Sequence, residues 1–205
     1  MFPYMQKTKD HNLSVIILNP NQTTSVDQTL NSLSDDEENT TDFYLSLRSL
    51  RQPNAIKIPG LSTSREHVLY VYDRIIAERC RAKTYFFVAH SAGGDCLMYL
   101  LRKREQQILS RPIQIAFTDS VHSVLPCESN EIVRCLQTQA KHFVASEQPM
   151  NEPIESDYNF SRQPACPEVS AGHSKHEYTS GYCVEGVFEF FFPKKPNEEV
   201  ISTKL

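Results

Sequence analysis

The residues best suited to chemistry are Ala89-His90-Ser91-Ala92-Gly93-Gly94, a serine ringed by small side chains. A serine hydroxyl is a weak nucleophile until a sharp turn exposes it beside a base. Such a turn accepts only small neighbours, because its backbone folds close upon itself. Ala89, Ala92, Gly93 and Gly94 meet that demand, with Ala89 standing where the G-x-S-x-G pattern has its first glycine. The turn also points the backbone N–H of Ala92 at a developing oxyanion, aided by the start of the next helix. The same residues would equally serve a serine that only caps a helix.

A nucleophile of this kind needs a base and an acid to orient it, in the chain order serine, acid, histidine. Asp119 closes the run Ile115-Ala116-Phe117-Thr118, and Glu147 follows the next apolar stretch. Both are placed to be the acid, and both could equally be solvated carboxylates or caps. His176 lies in a glycine-containing segment, Val169–Thr179, just before the last apolar element, where the base belongs. His173 is the weaker candidate, and His90 and His122 read as packed or surface histidines.

The elements that must position these groups follow an alternating rhythm. Asn12–Leu18 is a β-branched run stopped by Asn19-Pro20-Asn21, the pattern of a buried strand. Residues 22–54 turn polar and acidic, as a solvated insertion does. Residues 64–79 carry Val68, Tyr72, Ile75 and Ile76 at helical spacing, with Ser64 available as a cap. Thr84–Ala89 is apolar throughout, as in a strand covered on both faces. A helix over 95–107, a strand over 112–118, a helix over 131–139 and a short strand over 141–146 follow. Residues 147–167 read as a loop, and 186–192 as a terminal helix or strand. Strand and helix in alternation predict an α/β domain with a parallel sheet. Its expected bounds are 12–192, between tails at 1–11 and 193–205.

The composition excludes several functions. The 205 residues are 40% hydrophobic, with Phe 11 and Tyr 9, enough for one domain with a genuine core. Net charge is -4, and no basic cluster offers the footprint that a phosphate backbone requires, so a direct nucleic-acid surface is not expected. No apolar run is long enough for a membrane span, and no secretory signal pattern opens the chain. None of the six cysteines has C-x-x-C spacing, so reduced thiols are expected and no metal or cofactor is implied.

Five blocks, Ser14–Asn21, Arg65–Asp73, Phe86–Gly94, Ala116–His122 and Ser170–Glu177, together resemble the argonaute-binding (Arb-type) α/β-hydrolase-like domain family, most closely its metazoan cotranscriptional-regulator members. The resemblance implies a partial α/β-hydrolase-like sheet with helices on both faces. It implies a nuclear role in small-RNA-linked heterochromatin formation or cotranscriptional regulation, with an argonaute-type protein or small-RNA machinery as partner. Ser91 matches the family's nucleophile-type serine and His176 its late histidine. Family members carry earlier strands and a His-Gly-Ser-Gly-type turn that supplies a second oxyanion donor, whereas Met1–Asn12 contains no glycine. The expectation is a truncated, noncatalytic paralogue. A serine hydrolase of ester or acyl type using Ser91 and His176 is the first alternative, and a decayed paralogue without a stable fold is the second.

Overall fold

Residues 2–22, 24–26, 55–154 and 165–193 are described in the computed structural model. The stretch expected as an N-terminal tail is instead helix α1 (Phe2–Asp10). It is anchored by Tyr4, whose ring centre lies 6.2 Å from that of Phe188, and by the ion pair of Lys7 with Glu185. The chain divides into two compact units, Met1–Ile17 with Arg81–Leu205, and Leu18–Cys80.

In the second unit β1 (Thr24–Val26) pairs antiparallel with β2 (Ala55–Lys57). The rest of the expected 22–54 insertion, beyond Gln22 and β1, lies outside the described residues. Helix α2 (Ser64–Val71) runs on into a π-helical turn, Tyr72–Ala77. Its cap is Thr63 rather than the expected Ser64, since Thr63 Oγ1 accepts the Glu66 N–H at 3.1 Å.

In the first unit the apolar runs expected at 84–89, 112–118 and 141–146 become strands. β3 (Tyr85–His90), β4 (Ile113–Thr118), β5 (Ala140–Val144) and β6 (Glu168–Ser170) form a parallel sheet in that order. Helices α3 (Gly93–Leu109) and α4 (Asn130–Gln139) make the crossovers from β3 to β4 and from β4 to β5. Right-handed crossovers onto successive neighbours in one direction lie on one face. Ser129 caps α4 by accepting the Ile132 N–H at 3.1 Å. After β6 come α5 (His176–Tyr182) and α6 (Val184–Phe191). Val184, Val187, Phe188 and Phe191 of α6 close over Ala116, Phe143 and Val169, with Tyr4 of α1 and Leu13 at the margin. Strand side chains alternate, so Ile115 and Phe117, fully buried, face the opposite way from Ala116. This is an α/β fold with helices on both faces of its sheet. Each α6 side chain sealed in this way contributes roughly 2 kcal/mol of burial.

The strand expected over Asn12–Leu18 does not form. Residues 13–19 join no ladder, and Val15, Ile16 and Ile17 are each about half exposed. β-branched side chains favour extension, but a strand exists only where its N–H and C=O groups meet a partner. Conversely, the three-residue β6 begins just after the expected 147–167 loop, at the head of the glycine-containing segment, where no strand was expected.

Candidate functional site

β3 and β4 pair in register from Tyr85↔Ile113 to His90↔Thr118. Their next residues, Ser91 and Asp119, therefore leave the sheet side by side at its carboxyl edge, where open α/β sheets place their ligands. Both have left-handed backbones, φ 53 for Ser91 and φ 43 for Asp119. A non-glycine residue held there stores of order 1 kcal/mol of strain, so neighbouring contacts must enforce it.

Those contacts are visible around the Ser91 carbonyl. It accepts from Gly94 N–H at 3.2 Å, Val121 N–H at 2.9 Å and Ser120 Oγ at 3.2 Å, while Ser91 N–H donates to Thr118 O at 3.3 Å. Gly94 is required for this arrangement, because a Cβ there would run into Ser120 Oγ and stand 3.0 Å from Val121 O. Ala92, not Ser91, is the N-cap of α3, and no side chain caps that helix. Ser91 is therefore not a capping serine. The Ala92 amide stands at the head of a 17-residue helix.

His176, the first residue of α5, places Nδ1 2.6 Å from Asp119 Oδ2. A carboxylate only accepts, so Nδ1 carries a proton, and in the neutral imidazole the lone pair is on Nε2. Asp119 Oδ1 accepts the Ala145 N–H at 3.1 Å. Burial works to raise the Asp119 pKa, but the His176 hydrogen bond, the Ala145 amide and the charges of His176 and His142 outweigh it and hold the carboxyl below its usual 3.8. Glu147, the other candidate acid, makes no bond to His176 and stands two residues beyond the Ala145 amide that serves Asp119. His173 Nδ1 accepts the Lys175 N–H at 3.0 Å and has no link to Asp119.

His90 has a larger part than a packed histidine. Its Nδ1 donates to Thr118 O at 2.8 Å, and its ring stacks on His176 with centres 4.7 Å apart. The imidazole of His176 thus lies against the residue adjoining Ser91. His142 and Glu168 went unseen in the sequence; buried His142 pairs with partly exposed Glu168 at 3.0 Å, and its Nε2 accepts the Ser120 N–H at 3.0 Å. The only signal for His142 was a polar residue inside the short apolar strand Ala140–Val144. Among the described residues no cluster of three metal-binding side chains occurs.

The family model for the Arb2 domain matches residues 1–150. The chain belongs to the Arb2 domain family. It is 31% identical over 214 residues to a chicken (Gallus gallus) protein named cotranscriptional regulator ARB2A homolog, covering 92% of this chain and 50% of the relative. The mouse (Mus musculus) cotranscriptional regulator ARB2A is 31% identical over 92% of the chain and 50% of its own length. The Dictyostelium discoideum homolog is 34% identical over 93% and 50%. The chain thus spans about half the length of these relatives. No solved structure matches it. The Arb2 match takes in Ser91, Asp119 and Glu147, while His176 lies beyond its last matched residue.

Proposed function

We propose that this Arb2-domain chain is a regulatory, protein-binding module that acts in the nucleus on cotranscriptional events. The observation that carries it is 31–34% identity to cotranscriptional regulators over more than nine-tenths of the chain. By the same reading its partner is an argonaute-type protein within small-RNA machinery, and its output includes heterochromatin formation. The test is affinity purification of the tagged chain from nuclear extract. Argonaute recovered at stoichiometric levels supports the reading; exclusion from the nucleus with no argonaute recovered rejects it.

The 2.6 Å contact of His176 with Asp119, beside a left-handed Ser91, favours a second reading as a serine hydrolase of esters or acyl groups. His176 Nε2 would take the Ser91 Oγ proton as the oxygen bonds to the acyl carbon, and the oxyanion would accept the Ala92 N–H. The leaving alcohol would regain that proton from His176, and water would then release the acid by the same steps. A fluorophosphonate probe decides the matter: covalent labelling lost in Ser91→Ala supports the hydrolase, and no labelling at any pH ends it.

A further inference from the structure

Behind the elbow, a second histidine–carboxylate pair stands outside any proton path from Ser91. His142 of β5 is only 7% exposed. Ser120 N–H donates to its Nε2 at 3.0 Å, and its Nδ1 lies 3.0 Å from Glu168 Oε1. A backbone amide can only donate, so Nε2 must hold a lone pair. Nδ1 then carries the proton and donates to Glu168. The two contacts together define one neutral tautomer.

What this imidazole holds is the segment that builds the site. Asp119 N–H donates to Phe143 O at 2.7 Å, and Ala145 N–H reaches Asp119 Oδ1 at 3.1 Å. Ser120 Oγ and Val121 N–H grip the Ser91 carbonyl at 3.2 and 2.9 Å. One tripeptide therefore offers a carboxylate to His176 and clamps the elbow. Its middle amide is tied to His142.

We propose that His142 and Glu168 are positioning residues: neutral His142 holds the left-handed Asp119–Ser120 turn, and through it Ser91 and His176, and a proton added to His142 Nε2 releases the turn. The proposal rests on Ser91, His176 and Asp119 forming a hydrolase-type site. A protonated Nε2 would set a donor against the Ser120 N–H and leave that amide without its acceptor. Glu168 faces His142 from β6, and Asp119 does so from the end of β4. His122 meets the ring edge-on at 4.8 Å from the segment after β4. Burial, and next the charge of His142, push His122 down to about 4, so His122 is neutral above that pH. Cys166 Sγ lies 3.8 Å from His122 Nε2, and burial pushes its pKa up to about 12, so it adds no charge.

The test follows the ring nitrogens of His142, the Ser120 amide and the low-field His176 Nδ1 proton by NMR across pH, using the full chain. Fluorophosphonate labelling of Ser91 is measured in parallel for His142→Phe, which keeps a ring but no acceptor, and for His142→Gln, whose side-chain oxygen can accept. Expected are an unprotonated Nε2 at neutral pH and at least tenfold faster Ser120 exchange at the step where His142 gains a proton. Labelling should fall about tenfold in His142→Phe and largely recover in His142→Gln, which loses the acid limb set by His142. An Nε2–H tautomer, or Ser120 protection unchanged through the His142 step, overturns the proposal. So does His142→Phe labelling with the wild-type rate and pH profile. If the wild-type chain never labels, the hydrolase reading fails, and the Ser120 and His176 signals alone decide this proposal. If His142→Phe does not fold, the wild-type titration and His142→Gln decide it.

Discussion

His176 Nδ1 stands 2.6 Å from Asp119 Oδ2 across 57 residues of sequence. The bond fixes which nitrogen of His176 faces outward, and Asp119 keeps its charge because His176 and the Ala145 amide outweigh its burial. Asp119→Asn preserves shape but lets the amide donate to Nδ1, which favours the wrong tautomer. Fluorophosphonate labelling of Ser91 should then fall by on the order of a thousandfold, while the thermal transition persists. Labelling of Asp119→Asn at the wild-type rate would assign the acid role elsewhere.

Glu147→Gln provides the matching control. Glu147 makes no contact with His176, so its labelling rate should stay within about twofold of wild type. A large loss would reinstate Glu147 as the acid.

Acid should weaken the fold in two steps. His122 stacks on Phe117 with ring centres 3.8 Å apart, and burial pushes its pKa to about 4 from 6.5. Between those values the unfolded chain binds the proton that the folded one refuses, so stability falls as pH drops from 6.5 to 4. Asp119 behaves in the opposite chemical sense with the same result. Its folded pKa lies below 3.8, so its contribution is present above 3.8 and is lost as pH falls through the folded value. Calorimetry from pH 7 to pH 3 should show the melting temperature dropping by roughly 5 °C over the His122 window alone. His122→Phe should flatten that first step and leave the second.

Gly94→Ala tests how tightly the elbow interlocks with the turn after β4. The added Cβ meets Ser120 Oγ and approaches Val121 O at 3.0 Å, so the substitution should cost about 2–3 kcal/mol. Combining it with Ser120→Gly should return part of that loss. Denaturant unfolding of the single and double variants measures both, and additive effects would mean that the two residues do not interlock.

Ser91→Gly should remove all labelling yet raise stability by up to about 1 kcal/mol, because glycine occupies φ 53 without strain. Ser91→Val should cost about 2 kcal/mol for the opposite reason. Equal stability of the two variants would mean that the turn relaxes.

Much of this arrangement was legible because local chemistry and tertiary demand agree. Thr84–Ala89 was legible as a strand from its unbroken apolar run, but not as the end strand of the described sheet, where Val88 stays 41% exposed instead of covered. The small neighbours of Ser91 suited both an elbow and a helix cap, and the left-handed φ of Ser91 separates the two. The choice between Asp119 and Glu147 was not legible, since it depends on which strand end α5 reaches. His142 and Glu168 lie on strands of five and three residues, and a buried histidine carries the same letter as a surface one. Val15, Ile16 and Ile17 misled for a related reason: their β-branched side chains describe a preference, whereas a ladder requires a neighbour.

The matched ends of β3 and β4 make the three site residues unequal in how they can be lost. Ser91 and Asp119 are fixed to each other by six residue pairs of a single ladder. His176 arrives on a separate helix that must dock. Breakage of the docked segment would leave Ser91 and Asp119 in place without His176, whereas slippage of the ladder would dismantle all three at once. Within this architecture, loss of the His176 contact is a smaller structural step than disassembly, and a chain that lost it would keep its outward shape.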